Sequence, residues 1–323
     1  MKRLPVMFIS VGLLAAACGS AAPGSLGPAP TGGARPSSAA PASSPAPTST
    51  AGSAGSGQSG GSGQPGSSGQ PGSSPSRATP AQATPGQVSL QVWFTRNGKL
   101  LGTERTVPAS VSVGRAALDR LLAGPSAAES AAAVGSQIPA GTTALGLRIS
   151  GGIATVDLSS SFGSEGSQAT MPLRLAQVVY TLTQFPTVTG VRFAIDGQGV
   201  TVVGGVPVQY PQTRAMYSGY LPAITVTSPV IGEQVTSPVT VSGTADVFEA
   251  VVSVRILDSA GNEIARTFTN ASCGTGCRGD YSVTVSYSVP MTQPGTIEVF
   301  ESSAKDGLPV NVQWIPVTLA PGR

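Results

Sequence analysis

The chain has 323 residues, among them 18 basic residues, 15 acidic residues and no histidine. The lack of histidine excludes histidine general bases, catalytic triads that contain histidine, and metal sites with imidazole ligands. Four of the basic residues precede residue 88, so the rest of the chain is nearly neutral and carries no basic run. Nucleic acid is therefore not expected as a partner.

The N-terminus has the pattern of a secretory signal. Two basic residues precede an apolar run over residues 4–14, which is too short for a comfortable membrane span. Three alanines then precede Cys18 and resemble a bacterial lipobox, although the first lipobox position is usually leucine. We expect a signal peptide over 1–17 and a diacylglyceryl group on Cys18, whose two acyl chains would anchor the protein stably. A plain signal peptide that is cleaved after Ala17 is the alternative.

Residues 18–87 have the composition of a flexible tether. From residue 19 to residue 87 the chain contains only Gly, Ser, Pro, Ala, Thr and Gln, apart from Leu26, Arg35 and Arg77. Such a segment cannot bury enough apolar surface to offset the entropy of ordering, so we expect a disordered linker. Its root-mean-square reach would be about 40–50 Å. A glycosylated stalk is an alternative interpretation.

Residues 88–204 predict a folded domain of mixed α and β structure. Asn97-Gly98, a strong type I′ turn signal, lies between two apolar runs and predicts a hairpin. A helix with one apolar stripe should begin after Thr170. The expected elements are strands over 88–95, 100–107, 144–150, 153–159 and 188–195, and helices over 113–123 and from 171 until Phe185-Pro186 ends the second helix. The order ββ-α-ββ-α-β predicts an α+β domain with its helices packed on one sheet.

Several sequence blocks in this domain occur in an order that resembles a known family. They are VWF, RNGKLLGTERTVP, ALDRLLAGP, SQIPAGT, GGIATVDLSSSF and VVYTLTQFPTVTGVRFAIDG. Together they resemble a GerMN domain, the module named for a spore-germination protein. The resemblance implies a non-enzymatic envelope domain that occurs in lipoproteins and is similar in fold to ring-building modules of sporulation and secretion machines. It implies no substrate, and it makes weak self-association an expectation.

Residues 223–319 predict an all-β domain. The candidate strands are 224–227, 239–244, 250–257, 263–270, 281–289, 296–301 and 310–319. This number of short strands indicates an Ig-like β-sandwich, although the Cys…Trp…Cys spacing of antibody domains is missing. The blocks ITVTSPVIGEQVTSPVTVSGTADVFEAVVSVRILDSAGNEIA and GTIEVFESSAKDGLPVNVQWIPVTL resemble the Ig-like domain that accompanies GerMN. Residues 205–222 are interpreted as an interdomain linker, packed in the interdomain groove or forming a plain ordered loop.

Cys273 and Cys277 flank the tripeptide Gly-Thr-Gly, which can turn tightly enough to bring the two sulfurs together. In an exported protein a disulfide is the expected state. A two-thiolate metal or redox site is the alternative, but two ligands without histidine fall short of a closed zinc site, and reactive pairs usually have the spacing C-x-x-C.

A charged pair, Glu104 and Arg105, lies on the expected return strand of the first hairpin. It either discourages edge-to-edge pairing or contacts a partner. Asp157 and Asp196 are isolated carboxylates, so no metal site is expected, and no cofactor is expected either.

Two further motifs match the sequence patterns of known functional sites. The tetrapeptide that begins at Ser302 and ends at Lys305 matches S-x-x-K of penicillin-binding proteins, but it lies at a strand end without an S-D-N partner motif. Arg278-Gly279-Asp280 spells an integrin-type tripeptide, for which a solvated turn is the expected structure. We expect neither motif to be functional.

The sequence therefore predicts an extracytoplasmic protein that is anchored to the cell membrane by Cys18 and carries a GerMN-like and an Ig-like domain. By resemblance, its expected role is non-enzymatic binding or scaffolding of the sporulation-associated type, with an envelope protein or peptidoglycan as partner. A peptidoglycan-remodelling enzyme or its regulatory partner is one alternative, and a solute-binding lipoprotein is another.

Overall fold

The computed structural model describes residues 86–109, 112–164 and 168–322. The predicted signal peptide, Cys18 and nearly all of the predicted tether lie outside the described residues. The described residues belong to one contact unit, Ser73–Arg323.

The domain begins with the predicted hairpin, formed by β1 (Gln87–Arg96) and β2 (Lys99–Pro108). Asn97 has a φ of 52° and Gly98 a φ of 71°, which is the pair of positive angles that a type I′ turn requires. The register places Arg96 opposite Lys99 at the turn. The hairpin prediction from Asn97-Gly98 is confirmed.

Four helices follow in this half. They are α1 (Val113–Leu122), α2 (Ala127–Ala131), α3 (Ser161–Ser164) and α4 (Met171–Leu182). The sequence predicted α1 and α4 but missed α2 and α3, which are only one turn long. The bonds of a capping box stabilise α2: Ser126 accepts a hydrogen bond from the backbone N–H of Glu129, and the Glu129 carboxylate accepts one from the backbone N–H of Ser126.

A second sheet consists of β3 (Ala144–Ser150), β4 (Ile153–Leu158), β5 (Gly190–Ile195) and the short β6 (Gln198–Gly199), in that order. Strands β4 and β5 are parallel, since α3 and α4 form the crossover between them. The second hairpin, β3 and β4, agrees with the prediction, whereas β5 begins two residues later than predicted.

Helix α4 is buried on every side, and this corrects the prediction that the helices pack on one sheet. Eleven of its 12 residues are buried. The first hairpin forms a sheet of its own, and α4 contacts both this hairpin and β5 of the four-stranded sheet. The predicted apolar stripe of α4 is buried, but the opposite face of the helix is covered as well.

The segment between the two domains is ordered and packs on α4. It contains the two-residue strands β7 (Val202–Val203) and β8 (Val206–Pro207), followed by a 3-10 helix over Arg214–Tyr220. Tyr217 of this helix is buried. The Arg214 guanidinium lies 4.8 Å from the ring centroid of Tyr180 on α4, within the range of a cation–π contact.

The second half is a sandwich of eight strands. They are β9 (Ile224–Ser228), β10 (Gln234–Thr236), β11 (Val239–Ala245), β12 (Val251–Leu257), β13 (Glu263–Asn270), β14 (Gly279–Val285), β15 (Gln293–Ser302) and β16 (Pro309–Ala320), with a short 3-10 helix over Phe248–Ala250. One sheet has the order β10-β16-β15-β12-β13 and the other the order β14-β11-β9. The predicted Ig-like sandwich is confirmed. Strand β10 was missed, because it is three residues long.

Period-2 burial builds the core between the two sheets. Val252, Val254 and Ile256 on β12 are fully buried, as are Ile297 and Val299 on β15. Strand β11 carries a bulge where it meets β9, between Ser242 and Gly243. A Cβ atom at Gly243 would lie 1.9 Å from the carbonyl oxygen of Thr225, so only glycine fits the close approach of these two strands.

Candidate functional site

The two cysteines of the predicted disulfide lie together in an exposed loop of the sandwich. Their Cα atoms are 5.7 Å apart, which is within the range for a disulfide. Two hydrogen bonds hold the tip of the loop. The backbone N–H of Thr275 donates to the carbonyl oxygen of Val247, and the backbone N–H of Gly276 donates to the carboxylate of Asp246. The geometry is compatible with the bond, which stays a prediction.

Arg105 is engaged inside the first domain by a carboxylate that the sequence analysis did not single out. Its guanidinium donates to both oxygens of Glu129, with a distance of 2.9 Å from Nη1 to Oε1. Thr103 Oγ1 also donates to Oε1 of Glu129, at 2.7 Å. The Glu129 side chain is only 2% exposed and links β2 to α2. The spacing Ser126-x-x-Glu129, which is a capping-box signature, could have identified it.

Burial alone would raise the pKa of the Glu129 carboxyl. Hydrogen bonds from the Arg105 guanidinium, the Ser126 backbone and the Thr103 hydroxyl outweigh that effect and hold its pKa below the usual value. The neighbouring Glu104 accepts a hydrogen bond from Ser89 Oγ on β1. A partner contact by Glu104 and Arg105 stays a prediction.

The remaining carboxylates that the sequence raised accept hydrogen bonds from backbone N–H groups, and Ser302 of the S-x-x-K motif lies with its Oγ 3.4 Å from Ser253 Oγ. Asp157 accepts a hydrogen bond from the N–H of Gly197, and Asp196 accepts one from the N–H of Ser160. Ser303 Oγ accepts one from the N–H of Lys305 in the turn that follows β15. Within 86–109, 112–164 and 168–322, no group of three His, Cys, Asp or Glu side chains is arranged to hold a metal ion.

Arg278 does not lie in a solvated turn, which corrects the expectation for the Arg278-Gly279-Asp280 motif. Its guanidinium is partly buried and donates to the carbonyl oxygen of Pro222 at 2.6 Å and to that of Ala223 at 3.3 Å. It also donates to Thr244 on β11. Arg278 therefore fastens the end of the interdomain segment to the sandwich.

A crevice lies where the tip of the first hairpin meets the sandwich. Arg96 Nη1 donates to the carbonyl oxygen of Trp314 at 2.9 Å, and Nη2 donates to Oε1 of Gln313 at 3.1 Å. Lys99 Nζ donates to the carbonyl oxygen of Gly219 at 2.8 Å. The crevice has a volume of about 70 Å³, and the other residues that border it besides Arg96, Lys99, Gln313 and Trp314 are Asn97, Leu100, Leu101, Pro222 and Val312. A narrower and more apolar gap of about 20 Å³ lies nearby, between β2 and β9.

The crevice was not predicted from the sequence. Arg96 and Trp314 are 218 positions apart, and no local pattern links them. Both domains contribute polar side chains to the crevice, since Arg96 and Lys99 come from the first domain and Gln313 from the sandwich, and it is the larger of the two gaps at the junction. This makes it the candidate functional site.

We expect Glu129→Gln to lower the free energy of unfolding by about 1–3 kcal/mol near pH 7, because Arg105 loses its buried carboxylate. The folded-state pKa of Glu129 is lowered, so this stabilisation is complete above the unfolded-state pKa of about 4.3 and is lost as the pH falls through the folded-state pKa. Urea unfolding at several pH values measures the difference between variant and wild type. The neighbouring Glu104→Gln serves as the matched control and should change stability by no more than about 0.5 kcal/mol. A difference for Glu129→Gln that is equally large at pH 3 and pH 7 would contradict this role.

We expect the exported protein to have an intact mass about 2 Da below that of its fully reduced form, because a disulfide lacks two thiol hydrogens. Replacing both Cys273 and Cys277 by serine should lower the free energy of unfolding by about 2 kcal/mol without changing the fold. Wild-type protein with reductant should unfold at the same urea concentration as the double variant. Free thiols at both positions in freshly exported protein would refute the pairing.

No helix within 86–109, 112–164 and 168–322 is both long enough and apolar enough to cross a membrane.

Comparisons with known proteins identify both domains. A family model described as "Sporulation and spore germination" matches residues 89–201, and one described as "Immunoglobulin-like domain of bacterial spore germination" matches residues 223–308. No curated protein matches the chain.

Among solved structures, the first GerMN domain of the sporulation protein GerM from Bacillus subtilis is 24% identical. The match covers 40% of this chain and 98% of that one, with a TM-score of 0.35. The tandem GerMN domains of the same protein are 16% identical over 73% of this chain and 62% of that one, with a TM-score of 0.36. The chain therefore carries a sporulation and spore-germination (GerMN) domain over residues 89–201, followed by an immunoglobulin-like domain of bacterial spore germination over residues 223–308.

Proposed function

We propose that this protein is a lipid-anchored, non-enzymatic scaffold of the cell envelope that binds a partner through its two joined domains. The observation that carries this proposal is the junction itself. Two domains of the sporulation and germination class meet where β2 contacts β9, and Arg96 of the first domain donates hydrogen bonds to β16 of the second. A partner would therefore meet one continuous surface.

The contacts at the junction favour a fixed arrangement of the domains. Arg96, Lys99 and Arg278 all donate to backbone carbonyl groups there, and backbone acceptors cannot move away by changing a rotamer. Hydrogen bonds from charged donors are also stronger than those between neutral groups. A fixed arrangement suits a scaffold, because the partner need not offset the entropy of ordering two loose domains.

The proposed location is the extracytoplasmic face of the cell membrane. Lipidated Cys18 would hold the protein there, and the tether over 18–87 would let the folded part sample about 40–50 Å from the surface. We propose an envelope protein or peptidoglycan as the partner. Weak self-association through the GerMN domain also remains a proposal, favoured by the confinement of anchored chains to a plane.

We expect Cys18→Ser to release the protein from the membrane fraction or to leave it unprocessed, because lipid transfer needs the cysteine thiol. Membrane fractionation and incorporation of a labelled fatty acid measure the outcome. The double variant Cys273→Ser/Cys277→Ser is the matched control, and it should remain in the membrane fraction with its label. A Cys18→Ser protein that is processed, membrane-bound and labelled like the wild type would overturn the proposed anchor.

A further inference from the structure

The crevice at the hairpin tip brings two cations together. Arg96 and Lys99 are directly opposite in the β1–β2 register, an arrangement that destabilises a hairpin when the charges are alike. None of the described residues that border the crevice is acidic. The hydrogen-bond acceptors of both cations are neutral: the carbonyl oxygens of Trp314 and Gly219, and the side-chain oxygen of Gln313.

The Arg96 side chain is also partly buried. Burial lowers the pKa of its guanidinium, with no carboxylate contributing in the opposite direction. Its two hydrogen bonds at the junction use one N–H of each terminal nitrogen, whereas a guanidinium has five N–H donors. Lys99 donates to Gly219 and has three ammonium protons. Both cations therefore have further donors for a ligand.

Trp314 borders the crevice, and a hydrogen bond orients its aromatic ring. The residue is 46% exposed, and its indole N–H donates to Oε1 of Glu298 at 2.9 Å. Oε2 of Glu298 accepts a hydrogen bond from Arg255 Nε at 2.6 Å, so Arg255 balances the charge of this nearby carboxylate. Trp314 thus carries a half-exposed aromatic side chain on the residue whose carbonyl oxygen accepts from Arg96.

We propose that this crevice binds an oxyanion, the carboxylate or phosphate group of a ligand whose remaining part lies along Trp314. The volume of about 70 Å³ is larger than a single water molecule needs, so the crevice has room for a small polar group. A planar guanidinium and a mobile ammonium are the side chains that bind carboxylates and phosphates. The inference rests on the proposed binding function and specifies the chemistry of its ligand.

The test is a titration of the intact protein with inorganic phosphate and, separately, with N-acetylglycine, at constant ionic strength maintained with chloride. Tryptophan fluorescence reports binding, because the chain has only two tryptophans and Trp93 is buried. We expect a saturable change with one or both anions, and the stronger response identifies phosphate or carboxylate as the source. Neutral N-acetylglycinamide should give no saturable change.

Lys99→Gln should weaken anion binding about tenfold, because it removes one charge-assisted contact. Lys305→Gln, an exposed lysine outside the crevice, is the matched control and should bind as the wild type does. A thermal unfolding curve like that of the wild type establishes that Lys99→Gln is folded. The inference is overturned if neither anion gives saturation, if the amide responds equally, or if Lys99→Gln binds unchanged. Such a result would not alter membrane fractionation, whereas loss of the proposed anchor would not alter this titration.

Discussion

The free edge of β1 is the constraint on which the rest of the structure depends. A two-stranded hairpin is marginal by itself and leaves a row of unpaired backbone groups along each strand. Helix α4 covers this edge with polar side chains. Thr181 accepts a hydrogen bond from the N–H of Trp93, and Gln177 donates to the carbonyl oxygen of the same residue. Gln184, which follows the end of α4, makes the corresponding pair of hydrogen bonds with the backbone of Gln91. The same contacts therefore bury α4 and stabilise the hairpin.

An anchored hairpin can support contacts at its tip. Since hydrogen bonds from α4 and from Gln184 hold β1 at Gln91 and Trp93, the Asn97-Gly98 turn lies at the end of a supported hairpin. Arg96 then reaches the backbone of β16, while the segment packed on α4 through Arg214 supplies the acceptor for Lys99. The crevice, the junction and the proposed oxyanion site all follow from this arrangement.

The sequence predicted those helices and strands that are encoded by neighbouring residues, such as a turn dipeptide or an apolar period. Asn97-Gly98 specified the first hairpin, and the apolar stripe after Thr170 specified α4. The eight-stranded sandwich was predicted except for β10, whose three residues are too few to show a period. The helices α2 and α3 were not predicted for the same reason, although the capping-box pattern of Ser126 and Glu129 is present in the sequence.

Features that depend on distant residues could not be predicted in this way. Only the tertiary fold reveals that polar residues of α4 form hydrogen bonds with β1. Likewise, Arg278 was expected in a solvated turn, because nothing near it in the sequence indicates that Pro222 and Ala223 lie within reach. The crevice combines residues from both ends of the folded part. Its positive charge can be recognised only once the fold has brought those residues together.

Differential scanning calorimetry of the intact protein tests most directly whether the hairpin fixed by α4 joins the two domains into one unit. The account predicts a single cooperative transition. Gln177→Ala, which removes bonds to Trp93 and to Gln137 in the first domain, should shift the whole transition to lower temperature, the sandwich included. Two separate transitions, with the midpoint of the sandwich unchanged by Gln177→Ala, would contradict the account.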